Sequence, residues 1–309
     1  MDAEKKFSEN GYYIKRGLID SDKISKILKS FESFKNRGGI YFSQSNHNWR
    51  NAKNDLDEYG LCRYSMENFT DLIWAPNLSK NGKDILLSKE ILEYLCKLSG
   101  TIQDYCMWQN MFFDKSTGTV DHIDTWYLDT DPMGHLIAAW VALEDIDGNG
   151  GEFHVYPGSH LSELVRPENW QDLDHDQFVG WSKTLSKEYK RIPIHLKKGD
   201  VLFWHPSLLH GSSNQKIEGH SRKSLTAHYY PSTYKKGGGG ASSDSSTEGY
   251  RQVVSKANKM IRKHGSLPIF SKRNRVSIKR SLIGAAKFAF NYKNNDEWLM
   301  QRSAYDEKQ

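Results

Sequence analysis

The chain has 309 residues, with 43 Lys and Arg against 38 Asp and Glu, and 37% of its residues are hydrophobic. This composition excludes disordered and fibrous proteins. It contains no run of about 18 apolar residues and starts without the apolar stretch of a secretory signal, so we expect neither stable membrane insertion nor export. Its three cysteines lack a CxxC spacing and predict neither a disulfide framework nor a structural zinc site, which fits a reducing cytoplasm.

Positive charge is concentrated at the C-terminal end. Residues 251–309 hold 14 Lys and Arg against 4 Asp and Glu, although the net charge of the whole chain is only +5. The preceding part is therefore mildly acidic. Because it shows no zinc-finger, helix-turn-helix or RNA-binding spacing, we expect no nucleic-acid partner.

The first 100 residues predict helices around a short extended segment at 12–15. Ser21 is a candidate N-cap for a helix whose apolar residues recur at helical spacing, namely Ile24, Ile27, Leu28, Phe31 and Phe34. Residues 37–83 are polar and rich in Asn and Gly, which predicts long surface loops. A second helix is predicted over 88–98, with Gly100 at its C-terminal end.

From residue 101 the pattern changes to short strands separated by Gly, Asp, Asn and Pro turns. The candidate strands cover 105–113, 120–127, 136–144, 152–156, 191–196, 201–204 and 224–230. Many short antiparallel strands between helices are typical of a mainly β fold with flanking helices. We expect a double-stranded β-helix core, that is, a jelly roll of the cupin-like type.

The pattern divides the chain into three parts. These are a jelly-roll domain over 1–232 with core strands at about 101–231, a flexible Gly/Ser-rich loop over 233–250, and a basic helical extension over 251–309 that packs on the same domain. Helical periodicity in the extension lies near 252–263 and 277–290. A polar insertion at 161–190 interrupts the strands.

His122 and Asp124 are the first candidate functional residues. Side chains at positions i and i+2 of a strand project to the same face, so the imidazole and the carboxylate can converge on one point. His210 can supply a third ligand from a neighbouring strand, with His205 and His228 as competing candidates. Two His and one carboxylate suit a non-haem Fe(II) oxygenase. Taken alone, this His-x-Asp spacing is equally typical of a surface salt bridge.

A candidate carboxylate clamp follows twelve residues after His210. Arg222 can bind a carboxylate through two hydrogen bonds, and the Ser224 hydroxyl on the same strand face can add a third. Trp140 shares a predicted strand face with Ala138 and Ala142, whose small side chains leave room beside its ring for a ligand. Ordinary barrel packing of the Trp140 ring is an equally good interpretation.

Several short motifs occur in one order along the chain, namely FSENGY at 7–12, HID at 122–124, AWVALE at 139–144, NGG at 149–151, VYPGSH at 155–160, GDV at 199–201, HGS at 210–212 and RKS at 222–224. Over residues 5–232 the chain thereby resembles the phytanoyl-CoA dioxygenase family of Fe(II)- and 2-oxoglutarate-dependent oxygenases. Many relatives have Gln where this chain has Ile123, a residue predicted to point away from the metal. The carboxylate of Asp124 argues against the halogenating relatives, in which a small residue stands there.

The resemblance implies a role for each candidate residue and the use of O2 as oxidant. Metal binding falls to His122, Asp124 and His210, the 5-carboxylate of 2-oxoglutarate to Arg222 and Ser224, the pocket wall to Trp140 and Ser212, and an amide contact to Gln109 or Asn110. Strand parity alone does not choose between the two amides.

The predicted activity is oxidation of a polar small molecule, such as a sugar or a secondary metabolite, with release of succinate and CO2. This substrate class is predicted from an expected polar and aromatic pocket rim consisting of Trp126, Tyr127, Asp129, Asp131, Tyr229, Tyr230 and Tyr234. Two alternatives are a noncatalytic jelly-roll binding protein and a cupin-like metal hydrolase or isomerase that uses Zn(II). The hydrolase or isomerase would need neither Arg222 nor Ser224. The sequence makes no prediction of oligomeric state.

Overall fold

Three antiparallel sheets, one of them a single pair of strands, and five α-helices occur in the part of the chain that the computed structural model describes, residues 3–43, 48–163, 173–237 and 259–261. The helices are α1 (Ala3–Asn10), α2 (Ser21–Asn36), α3 (Pro76–Leu86), α4 (Lys89–Ser99) and α5 (His175–Leu185). The strands are β1 (Tyr12–Lys15), β2 (Ile40–Ser43), β3 (Asn48–Asn51), β4 (Met66–Glu67), β5 (Tyr105–Phe113), β6 (Thr119–His122), β7 (Asp129–Asp131), β8 (Ile137–Ala142), β9 (Phe153–Val155), β10 (Ile192–Ile194), β11 (Val201–Trp204), β12 (His210–Ser212), β13 (Ser224–Pro231), β14 (Lys235–Gly237) and β15 (Lys259–Ile261).

The strands assemble as the predicted jelly roll. The large sheet has the order β1-β11-β8-β13-β5-β4-β2-β3, with β15 also paired to β5, and the small sheet has the order β10-β9-β12-β6. A separate two-stranded pair joins β14 to β7. Within the described residues, no helix is long and apolar enough to cross a membrane.

Each strand of the large sheet contributes to two cores because its side chains alternate between the faces. On β8, Ala139 and Val141 pack with helices α2, α3 and α4, whereas Trp140 packs with residues of the small sheet such as Phe153 and Val155. The helices therefore cover one face of the large sheet. The opposite face and the small sheet enclose the interior of the jelly roll.

The predicted N-terminal helices are present, with one change of cap. Asp20, rather than Ser21, caps α2, because its carboxylate accepts a hydrogen bond from the backbone N–H of Asp22 at 2.7 Å. Ser88 caps α4, and Gly100 ends it in the left-handed conformation at φ 67°. None of the cysteines Cys62, Cys96 and Cys106, which all lie in the described part of the chain, forms a disulfide.

The prediction of long surface loops over 37–83 is wrong. Strands β2, β3 and β4 extend the large sheet, and α3 packs against α2 through this same region. These strands have two to four residues each, too short for a local alternation signal, and they form because β5 offers a partner strand through Met66↔Phe112. Trp74 fixes the loop by donating to the backbone carbonyl of Ile40 at 2.7 Å.

The structure also changes two expectations near the C-terminal end. Lys235–Gly237, expected in the flexible loop, form β14 and pair with Asp129–Asp131. Lys259–Ile261, expected in a helix over 252–263, form β15 on β5, because strand pairing outweighs a weak helical period. The rest of the loop and the predicted helix over 277–290 lie outside the described residues.

Candidate metal centre and cosubstrate pocket

His122, Asp124 and His210 converge at the inner side of the small sheet. His122 ends β6 and is the direct register partner of His210 on β12. Asp124 does not share the strand as predicted but begins a short 3-10 helix, and its Oδ1 still lies 3.7 Å from Nε2 of His122 and 3.8 Å from Nε2 of His210. One nitrogen or oxygen ligand atom from each residue lies within 4.8 Å of the others. This spacing can accommodate one metal ion.

Both imidazoles are oriented by the backbone in the same way. Nδ1 of His122 lies 2.8 Å from the carbonyl oxygen of Val120, and Nδ1 of His210 lies 2.9 Å from that of Leu208. A carbonyl oxygen can only accept, so Nδ1 carries the proton in each ring. The lone pair of Nε2 is then directed at the common centre, which is the tautomer that a metal requires.

The two oxygens of the Asp124 carboxylate have different surroundings. Oδ1 faces His122 and His210, and Oδ2 is held on the far side by Trp204. Trp204 donates its indole N–H to Oδ2 at 2.8 Å, and Nε2 of His228 lies 3.3 Å from the same atom. Oδ1 therefore remains directed at the centre. Trp204 was missed in the sequence, where it reads as an apolar strand residue.

At neutral pH the Asp124 carboxylate and the His210 imidazole have the charge states that metal binding requires. Burial lowers the pKa of His210 to about 4, and the nearby His122 adds to this effect. Burial alone would raise the pKa of Asp124, but His228 and His210 hold it well below its ordinary value. Burial also opposes protonation of His122, yet the hydrogen bond and charge of Asp124 raise its pKa overall. The ionised carboxylate of Asp124 thus faces the unprotonated imidazole of His210.

A cavity of about 560 Å³ opens from the three residues. Its lining is Ser65, Gln109, Met111, Phe113, Thr117, Gly118, Thr119, Val120, His122, Asp124, Tyr127, Leu128, Trp140, Phe153, His175, Trp204, His210, Gly211, Ser212, Arg222, Thr226 and His228. The predicted Trp140, Ser212 and Arg222 are all among these residues.

Arg222 supplies a buried cation to the cavity. Only 4% of the residue is exposed, and its Nε and Nη1 have no hydrogen-bond partner among the described residues. Its guanidinium lies 5.5 Å from the centre of the Trp140 ring. Burial lowers the pKa of Arg222 to about 10, which leaves it charged at neutral pH. The Ser212 hydroxyl is likewise buried without a partner in the described structure.

Ser224 occupies a different place from the predicted clamp. It does not line the cavity, and its hydroxyl donates to the backbone carbonyl of Arg222 at 3.1 Å. Thr226, two residues further on the same face of β13, lines the cavity instead. Strand parity could have found Thr226, since it shares the face of Ser224 and His228.

Gln109, and not Asn110, lines the cavity. Asn110 faces the opposite side of β5, where its Oδ1 accepts from the backbone N–H of Thr70 and its Nδ2 donates to Asn68. A register shift between β5 and β13 decides this, because Gln109 pairs with His228 while Met107 pairs with Tyr229. The extra residue, Trp108, reverses the alternation within β5.

The cavity lining also distinguishes the competing ligand candidates His205 and His228 and tests the predicted pocket rim. His205 packs against the rings of His160 and Phe7 and does not line the cavity, whereas His228 does. Of the predicted rim, only Tyr127 lines the cavity, so the rest of that prediction is wrong. Trp126 stacks on Phe178, with the ring centres 4.3 Å apart. The Tyr229 hydroxyl donates to the carbonyl of Leu86, and the Asp129 carboxylate accepts from the backbone N–H of Gly134.

This fold and this site define a non-haem iron oxygenase that depends on 2-oxoglutarate. The sequence profile of the phytanoyl-CoA dioxygenase family matches residues 7–224, and the chain belongs to that family. Members of the family use Fe(II), 2-oxoglutarate and O2. The sequence resemblance is thereby confirmed.

Known proteins resemble the chain in sequence and in fold. It is 33% identical over 248 residues to the peroxisomal phytanoyl-CoA dioxygenase of Bos taurus, an alignment covering 74% of this chain and 68% of the bovine protein. The Homo sapiens enzyme is 32% identical over 249 residues with the same coverage. The epimerase SnoN, solved with Fe3+, alpha ketoglutarate and nogalamycin RO, matches with a TM-score of 0.56 at 17% identity, over 75% of this chain and 83% of SnoN. That last likeness concerns the fold alone.

Proposed function

We propose that this protein oxidises a small organic molecule with O2 while 2-oxoglutarate is converted to succinate and CO2, and that His122, Asp124 and His210 hold the Fe(II). The observation that carries the proposal is a three-residue ligand set in one cavity with a buried guanidinium whose Nε and Nη1 have no hydrogen-bond partner in the described part of the chain. Two imidazole nitrogens and one carboxylate oxygen are the donor set that non-haem iron oxygenases use. A buried cation with unused donors suits a carboxylate.

The protein's own contribution is positioning. When bound, Fe(II) would supply O2 activation and couple it to decarboxylation of 2-oxoglutarate. Val120 and Leu208 hold the two imidazoles, and Trp204 holds the outer oxygen of Asp124, so the ligand atoms are already directed at one point.

Arg222 would take the far carboxylate of 2-oxoglutarate. Its Nε and Nη1 carry N–H groups that have no hydrogen-bond partner among the described residues, and the guanidinium matches a carboxylate in charge. Thr226 and Ser212 place hydroxyl groups in the same cavity, and Gln109 adds an amide. We assign Thr226 the hydroxyl contact that the family resemblance gave to Ser224, because the Ser224 hydroxyl is bonded to the backbone.

We propose a polar small molecule, such as a sugar or a secondary metabolite, as substrate. The basis is no longer the aromatic rim but the hydroxyl and imidazole groups of the remaining cavity wall, on Ser65, Thr117, Thr119 and His175. Polar groups of this kind fix the orientation of a bound ligand by hydrogen bonds.

An acyl thioester is the second candidate substrate. Met111, Phe113, Val120 and Leu128 give the same cavity an apolar wall, and the bovine relative is named as acting on phytanoyl-CoA. Succinate release measured with a panel of sugars and polyols and with a branched acyl-CoA separates the two. Stimulation by the acyl-CoA alone would overturn the polar assignment.

The iron assignment is tested by anaerobic titration of the apoprotein with Fe(II) and then 2-oxoglutarate. We expect one Fe(II) per chain and a weak visible charge-transfer band that forms only when both are present. The His122→Ala variant should give no band. A protein that hydrolyses or isomerises with Zn(II) would produce no band and would turn over without O2, and a noncatalytic binding protein would release no succinate with any substrate.

A further inference from the structure

The strand that carries His122 has little backbone support. β6 has four residues, lies at the end of the small sheet and is partly exposed. Within the described residues it pairs only with β12, through His210↔His122 and Ser212↔Thr119, and an irregularity separates these two pairs. So short a ladder fixes the position of a ligand strand poorly.

Side chains on the outer face of the small sheet give β6 a second attachment. Asp121, next to His122, projects away from the cavity. Its Oδ1 lies 2.6 Å from Nε2 of His154, and its Oδ2 accepts a hydrogen bond from the Tyr156 hydroxyl at 2.7 Å. His154 lies on β9 and Tyr156 directly follows that strand, so these bonds bridge two strands that are not neighbours.

Gly211 makes the bridge possible. It lies on β12, between β9 and β6, and is the register partner of His154. A Cβ at Gly211 would collide with the carboxylate of Asp121 and would stand 3.0 Å from Nε2 of His154. Only glycine therefore leaves a channel across β12 for the two side chains to meet.

Arg191 fixes the hydrogen-bonding direction of the bridge. Its Nη2 lies 3.0 Å from Nδ1 of His154 and 2.8 Å from Oε1 of Glu152. A guanidinium can only donate, so Nδ1 of His154 accepts and Nε2 carries the proton that is donated to Asp121. Every polar atom that joins β9 to Asp121 thus has a defined partner.

We propose that Asp121, His154 and Tyr156 form a clamp across Gly211 that fixes β6 against β9 and thereby positions His122 for metal binding. The three are positioning residues, since none of them lines the cavity. The inference rests on the proposed function in that it takes His122 as an iron ligand.

Tyr156→Phe is the mildest test, and His154→Phe is the stronger one. Tyr229→Phe is the matched control, because it also removes one buried phenol hydrogen bond, to the carbonyl of Leu86 at 2.8 Å, from the helix-covered core. For each variant we would measure the melting temperature, the Fe(II) dissociation constant of the apoprotein, and hydrogen–deuterium exchange of residues 119–122.

We expect Tyr156→Phe to raise the Fe(II) dissociation constant several-fold and His154→Phe to raise it by about 10-fold or more. Exchange in 119–122 should be faster in both. Tyr229→Phe should lower the melting temperature about as much as Tyr156→Phe and leave both other quantities unchanged. Equal Fe(II) affinity in all three variants, with binding still lost in His122→Ala, would overturn the clamp but not the proposed function. Unimpaired Fe(II) binding by His122→Ala would overturn both.

Discussion

The two sheets hold their functional residues by different means. In the large sheet β13 pairs along its length with β5 on one side and β8 on the other, and every residue of β8, β11 and β13 is buried. In the small sheet β9, β10 and β12 have three residues each and β6 has four. The large sheet therefore positions Trp140 by backbone ladders and packing, and Arg222, two residues before β13, donates its backbone N–H to the carbonyl of Asp114. The small sheet positions His122 and His210 by individual hydrogen bonds, so single side chains matter more there.

Removing a metal ligand should have the largest effect. His210→Ala should lose turnover and stoichiometric Fe(II), because the two remaining ligands cannot complete the set, and metal analysis after gel filtration measures this. His205→Ala is the control, since that ring packs outside the cavity. Full activity in His210→Ala would move the third ligand to His228, which also lines the cavity.

Removing the buried cation tests the large sheet. We expect Arg222→Ala to raise the 2-oxoglutarate dissociation constant by about 100-fold, through loss of two charge-assisted hydrogen bonds, and to leave Fe(II) affinity unchanged. Arg50→Ala is a matched control, because Arg50 is a half-buried arginine paired with Asp55 away from the cavity. Equal losses of 2-oxoglutarate affinity in the two variants would refute the assignment of Arg222.

Trp204 belongs to the large sheet but holds a ligand of the metal centre, so it links the two sheets. Trp204→Phe keeps most of the ring and deletes the N–H that holds Oδ2 of Asp124. We expect Fe(II) affinity to fall about 10-fold with a small change in melting temperature. Trp74→Phe also loses an indole hydrogen bond, to Ile40, and should keep its Fe(II) affinity. An unchanged Fe(II) affinity in Trp204→Phe would mean that metal binding by Asp124 does not depend on the Trp204 hydrogen bond.

Ser224→Ala should have the smallest effect. Its hydroxyl stabilises only the backbone carbonyl of Arg222, so we expect the 2-oxoglutarate KM to change less than about threefold. Steady-state kinetics of Ser224→Ala beside Thr226→Val, which should change more, sharpen the assignment. A loss as large as that of Arg222→Ala would return Ser224 to the clamp.

Much of the fold and of the site could be predicted, because the informative signals are local. β5 and β11 have their predicted bounds, since alternating or continuous apolar runs between turns identify strands directly. His122, Asp124, His210, Arg222, Trp140 and Ser212 all reach one cavity, as their order and motif context predicted. These residues sit in, or directly beside, strands whose side-chain direction follows from position.

The features that the sequence left open, predicted wrongly or did not signal depend on contacts between distant segments. The choice of Gln109 over Asn110 requires the irregular pairing with β13. Trp126 does not reach the cavity rim as predicted, because Phe178 stacks on it. Phe178 lies on α5, in the insertion at 161–190. The bridge from Asp121 to His154 joins residues 33 positions apart across an intervening strand, which no local pattern signals.

The irregularity in β5 also separates two parts of that strand that have different partners and surroundings. Tyr105–Met107, before Trp108, pair with β15, whereas Gln109, Met111 and Phe113, after it, face the cavity. Because side-chain direction has a period of two, one extra residue in a strand would ordinarily turn every later side chain to the opposite face. A bulge accommodates the extra residue locally, so the side chains beyond it keep their face. The part of β5 that pairs with β15 can therefore be redesigned without inverting the side chains that face the cavity.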